Sequence, residues 1–119
     1  MSSWIKWHRD GRGFSHSVTL TSKGVIVARY RLTRSGRVRR ELLLVPKRSS
    51  FEDNRGRILF EEYYDIGKIK LLITALHDLV SVGLSNGYPK LLIHELEKVI
   101  THLNYLRSLL EEVINIGES

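Results

Sequence analysis

From Ser17 to Val45 apolar, β-branched and aromatic stretches alternate with turn signals, a pattern that reads as strands. Ser17 to Thr21 is short and β-prone, Ser22-Lys23-Gly24 reads as a turn, and Val25 to Leu32 is rich in β-branched and aromatic residues. A second turn signal, Thr33-Arg34-Ser35-Gly36, precedes a strand that resumes at Arg37 and runs to Val45. Pro46 ends it, because proline cannot donate to a ladder. The polar segment from Lys47 to Arg57 contains Ser49-Ser50-Phe51-Glu52-Asp53, a capping-box pattern that allows one helical turn at most before Asn54-Arg55-Gly56. Ile58 to Tyr64 supplies a fourth strand, and Asp65 is suited to cap a helix.

From Ile66 the period changes. Ile66, Ile69, Leu72, Ile73, Leu76, Leu79 and Val80 recur at three- and four-residue spacing, which predicts a helix with one buried face, terminated near Gly83. Ser85-Asn86-Gly87 is a turn, and Pro89 suits a first helical position because its missing N–H would be unsatisfied there. The next helix carries Leu92, Leu96, Val99, Leu103, Leu106, Leu110 and Val113 in alternating four- and three-residue steps, a leucine-zipper-like coiled-coil seam. Ile93, Ile100 and Ile114 widen the stripe, so one side of this long helix is free to face its own domain while another meets a second chain. The predicted fold is α+β: a four-stranded antiparallel β-meander packed on a helix, then a long C-terminal coiled-coil helix. Residues 1–84 form the sheet-plus-helix part and 88–116 a dimerisation element, giving a homodimer or higher homo-oligomer.

Charge divides the chain more sharply than hydropathy does. The 119 residues carry a net charge of +6; residues 1–48 hold 12 basic and 2 acidic side chains (+10), residues 49–119 hold 7 and 11 (−4). Such a concentration favours a polyanionic partner. Cysteine is absent, which excludes disulfides, thiolate metal sites and thiol catalysis. No apolar run has the length of a membrane span or a signal-peptide core, so a cytoplasmic protein with no membrane partner is expected. Glutamine is also absent while charged residues are plentiful, a bias that fits a thermophilic source.

No set of reactive groups converges in the sequence. His94-Glu95 lacks a second histidine four residues on, and His94 and His102 stand two helical turns apart, so no metal site is expected. Gly11-Arg12-Gly13 lacks the rest of a dinucleotide fingerprint. Glu61-Glu62 and Glu111-Glu112 are adjacent, and adjacent side chains on a strand or helix point apart. The chain is expected to be nonenzymatic, with no catalytic residues and no cofactor.

Basic residues interleaved with aromatics are what remains. Six arginines occupy Arg29 to Arg40, and Trp4, Trp7 and Phe14 sit among Lys6, Arg9 and Arg12. Strand parity groups Tyr30 with Ile26, Ala28 and Leu32, and sends Arg29, Arg31, Arg37 and Arg39 to the opposite face, with Arg34 at the turn. Arg40 shares parity with Val38 and Leu42, so it should snorkel or pair with a carboxylate. Cations that track phosphates beside flat side chains on which bases stack are the requirement for sequence-independent binding of single strands. The expected nucleic-acid surface is therefore Trp4, Lys6, Trp7, Arg9, Arg12, Phe14, Arg29, Arg31, Arg34, Arg37 and Arg39. Two other classes remain open: a protein-interaction module working through its coiled coil, and a regulator of RNA or duplex DNA.

The order of parts, carried by Trp4 to Phe14, by "VIVARYRLTRSGRVRRELLLV" from Val25 to Val45 and by the Leu92 to Val113 heptads, resembles the ThermoDBP family and its related proteins. These are archaeal single-stranded DNA-binding proteins. The resemblance implies sequence-independent binding of single strands, DNA foremost, in a cleft lined by basic and aromatic side chains, with dimerisation through the C-terminal helices. The sheet followed by a helix is also similar to the Whirly and transcriptional-coactivator type of single-strand binder.

Overall fold

The computed structural model describes residues 5–46 and 56–118, so the predicted helical turn near Ser49 lies outside the described residues. The chain forms two compact units, Met1–Tyr64 and Asp65–Ser119. The division falls after Tyr64, so the first helix lies in the same unit as the second, and the two pack together as a hairpin.

The first unit is a single antiparallel sheet in the order β1-β2-β3-β4-β5, comprising β1 (Ile5–Trp7), β2 (Gly13–Thr21), β3 (Gly24–Leu32), β4 (Val38–Val45) and β5 (Arg57–Tyr64). It has five strands rather than the four expected. The extra one is β1, whose three residues pair with β2 through Ile5 opposite His16, Lys6 opposite Ser15 and Trp7 opposite Phe14. The β3–β4 hairpin closes through Thr33 N–H to the Arg37 carbonyl at 2.8 Å, and its turn ends on Gly36 at φ +79°, a left-handed conformation that glycine adopts without steric cost.

Register assigns each side chain to a face. One row crosses all five strands as Trp7, Phe14, Tyr30, Arg40 and Glu62, and the rows on the other face include Ser15, Arg29 and Glu41, and Gly13, Arg31, Arg39 and Tyr63. On the first face Phe14 is fully buried, with its ring stacked 4.8 Å from that of Tyr30 and met edge-on by Trp7 at 5.4 Å. On the second, Val27, Leu43 and Val45 form a buried apolar cluster at the end of the sheet away from the arginines. Gly13 is required in the β2 row, because a Cβ there would lie 2.1 Å from the Tyr30 carbonyl oxygen.

The second unit holds α1 (Ile66–Ser85) and α2 (Lys90–Glu118). Asp65 caps α1 as expected, its side chain accepting from the Lys68 N–H at 2.8 Å. Gly83 does not end the helix. It is buried where Ile93 approaches, a Cβ at this position lying 2.5 Å from Ile93 Cδ1, and the chain leaves the helix two residues later through Asn86 and the left-handed Gly87. Pro89 directly precedes α2, its carbonyl accepting from Ile93 N–H. Neither helix is long and apolar enough to cross a membrane.

The predicted seam of α2 is largely consumed within one chain. Val99, Leu103, Leu106 and Leu110 are buried, the last three completely, while Leu96 and Val113 are half-buried and Leu92 is exposed. A four-and-three repeat shows that one helical face is covered, and here the chain itself covers most of it. Leu106→Ala should therefore cost about 2–5 kcal/mol in denaturant-induced unfolding. The loss should not depend on protein concentration, as it would if Leu106 lay between subunits.

Candidate nucleic-acid interface

The arginines gather on the sheet face opposite the aromatic row because alternation and register leave them no other place. Arg29 stands opposite Glu41, and Arg31 directly opposite Arg39. Two like charges facing each other across a ladder destabilise it unless something offsets them. Two carboxylates do so. Asp10 pairs with Arg31 through Nη2, and Glu41 Oε1 lies 2.8 Å from Arg29 Nη2 and 3.5 Å from Arg39 Nε.

Glu41 is fully buried, and its Oε1 also accepts from Arg29 Nε at 3.0 Å, so the two guanidinium nitrogens grip one oxygen. Its Oε2 has no hydrogen-bond partner. Burial works against the charge on Arg39, but a hydrogen bond with Tyr63 and the Glu41 carboxylate outweigh it, so its pKa lies above the ordinary value. Asp10 is held below the usual carboxylate range chiefly by the hydrogen bond from the Arg12 backbone N–H, and then by Arg31. The Asp10 pairing thus supports the fold above the unfolded aspartate pKa and is lost as pH falls through the lowered folded one.

Beside this row lies a pocket of about 430 Å³ lined by Arg12, Arg31, Leu32, Thr33, Arg34 and Arg39. The Arg12 carbonyl accepts from Leu32 N–H at 2.8 Å, which ties the loop after β1 to the end of β3 and holds Arg12 near the hairpin turn. Arg37 completes the patch, its guanidinium 5.5 Å from the centre of the Tyr63 ring. Tyr63 is exposed, stands opposite Arg39, and is steadied by a 2.9 Å hydrogen bond to Glu61. Sequence reasoning did not select Tyr63, although the parity that grouped the arginines extends to β5 once register is known.

The structure thus brings together Arg12, Arg29, Arg31, Arg34, Arg37 and Arg39, but not the aromatics expected beside them. Phe14 is sealed in the core and Trp7 is half-buried against it, both on the opposite face. They build the sheet, and a buried ring offers no face to a base. Trp4 lies outside the described residues. Lys6 is exposed and paired with Ser15 in the ladder, and Arg9 lies in the turn after β1. Arg40 joins the aromatic row, donating from Nε to Tyr30 Oη at 3.1 Å and lying 3.3 Å from Glu62.

One arrangement has the outline of a catalytic pair: His8 Nε2 lies 2.7 Å from Ser15 Oγ. Ser15 is fully buried, so its hydroxyl is out of reach of a substrate. Among the described residues no group of three or more His, Cys, Asp or Glu side chains could hold a metal ion. No family model, curated protein or solved structure matches the chain.

Removing the Glu41 charge takes from Arg29, whose side chain is 13% exposed, its buried carboxylate partner. Glu41→Gln should lower unfolding free energy by about 3–5 kcal/mol in a urea titration. An unchanged midpoint would show that the ion pair does not hold the face together.

Proposed function

We propose that the protein binds single-stranded nucleic acid, DNA foremost, without regard to sequence and without catalysis, on the arginine face of its sheet. The observation that carries this reading is the placement of Arg31 and Arg39 side by side around a pocket that Arg12 and Arg34 also line. Phosphate oxygens are the acceptors that planar guanidinium groups match best. Base stacking falls to Tyr63, with the guanidinium plane of Arg37 beside it, rather than to Trp7 and Phe14. The resemblance to the ThermoDBP family supports the same reading.

Self-association is part of the proposal, with its surface redrawn. Leu71, Leu84 and Leu91 are 69%, 68% and 61% exposed, and Leu92, Tyr88 and Tyr105 are exposed as well. An unburied apolar set of this size on the helical unit favours a partner, and a second copy of the chain is the simplest one. The buried seam positions Val99, Leu103, Leu106 and Leu110 stay within the protomer.

Fluorescence-anisotropy titration of a single-stranded oligonucleotide should give an affinity that falls steeply with salt. Were Arg12, Arg31, Arg34, Arg37 and Arg39 each to neutralise its own phosphate, the slope of log K against log salt would reach about −3.5; because four of them line one pocket and share phosphates, a shallower negative slope is expected. Single strands should outcompete the matched duplex; duplex preference would favour the ribbon-in-groove alternative, and absence of binding would end the proposal. Asp10→Asn releases Arg31 from its carboxylate and should tighten binding several-fold at low salt, with the gain shrinking as salt rises.

A further inference from the structure

The pocket at the turn end of β3 and β4 differs in charge from the rest of the arginine face. Arg29 and Arg37 are not part of its lining and are already engaged, one by Glu41 and the other by the Tyr63 ring. Arg12, Arg31, Arg34 and Arg39 line it; Asp10 pairs with Arg31, Glu41, already gripped by Arg29, lies 3.5 Å from Arg39, and Glu61 on the same face also acts on Arg39. On this face Arg12, Arg29, Arg31, Arg34, Arg37 and Arg39 stand against Asp10, Glu41 and Glu61, which leaves an excess of positive charge. Among the described residues neither Arg12 nor Arg34 makes an ion pair, and both are exposed.

We propose that this pocket receives the phosphate monoester at the end of a nucleic-acid strand, rather than one of its internal phosphodiesters. The inference rests on the function proposed above and adds a distinction between strand ends. An internal phosphodiester carries one negative charge. A terminal monoester carries about −1.5 to −2 at neutral pH and offers three acceptor oxygens, so it draws on the excess positive charge and on several guanidinium groups more fully than a diester does.

Position argues the same way. The lining residues come from one end of the sheet only: the turn from Arg31 to Arg34, Arg39 beside it, and Arg12 tied in by its carbonyl. A strand lying along the arginine face would place its last phosphate there. A volume of about 430 Å³ falls within the range of small-ligand sites and accommodates a phosphate together with the sugar that bears it. Asp10 is a built-in competitor. It occupies Arg31 until a stronger anion arrives, so a weak ligand such as chloride or a phosphodiester gains less than a dianion does.

The test compares oligonucleotides of one length and sequence bearing a 5′-phosphate, a 3′-phosphate or hydroxyl groups at both ends, titrated at fixed salt. One of the phosphorylated forms should bind about tenfold tighter than the hydroxyl-ended strand. That preference should disappear in Arg34→Gln and in Arg12→Gln, and persist in Arg57→Gln, which removes the same charge from an exposed position at the start of β5. Inorganic phosphate added as competitor should narrow the preference before it weakens the hydroxyl-ended strand. Equal affinity for all three strands would overturn the end-binding pocket while leaving single-strand binding intact. A preference that survives both Arg34→Gln and Arg12→Gln would also overturn it, by placing the phosphate elsewhere. If no oligonucleotide binds, the proposed function fails and the pocket reading fails with it.

Discussion

A carboxylate buried beneath arginines organises the N-terminal sheet. Glu41 has no exposed surface, and its Oε1 is held by two nitrogens of Arg29 with Arg39 close by. Burying an ionised carboxylate is costly unless it is paired with good geometry, so the β3–β4 register that sets Arg29 opposite Glu41 is strongly selected. A slip of one residue in β4 would carry Glu41 to the aromatic face occupied by Tyr30. The same register then places Arg31 opposite Arg39, an arrangement tolerable because Asp10 and Glu41 stand at either side of it.

The two faces of the sheet consequently do different work. Trp7, Phe14 and Tyr30 form an aromatic row that ends in Arg40 and Glu62, and their rings are spent on packing and on a cation–π contact. Burial and its hydrogen bond to Glu62 raise the Tyr64 phenol above its usual range. The opposite face buries Arg29 against Glu41 but keeps Arg12, Arg34 and Arg37 at the surface. Charge that would weaken a core is thereby held where a polyanion can reach it.

Alternation alone separates Tyr30 from Arg29 and Arg31, and Arg40 from Arg37 and Arg39, so both faces of β3 and β4 were legible in the sequence. Asp65 likewise marked the start of α1, whereas its end was expected near Gly83 and falls two residues later, at Ser85. Other features were less accessible for physical reasons. Three residues of β1 are too few to show a period, and Phe14 joins the core only because β2 pairs with β3. Glu41 shares parity with Arg39 and was available as a signal, but a lone acid in a basic run reads as dilution until its burial is known. The heptad spacing of α2 reports that a face is covered without saying by which chain. The charge excess of residues 1–48 located the unit that carries the arginine face, while only the folded chain shows Arg29 held by Glu41 beneath it and Arg12 and Arg34 lining an open pocket.

The central claim is that nucleic acid lies on the arginine face and nowhere else. Backbone and arginine-Nε chemical-shift mapping during titration with an unstructured single-stranded oligonucleotide tests it most directly. Shifts should concentrate at Arg12, Arg31, Arg34, Arg37, Arg39 and Tyr63, leaving Trp7, Phe14 and the two helices unmoved. Shifts centred on the aromatic row or on the exposed leucines of the helices, with the arginine signals unmoved, would contradict the account.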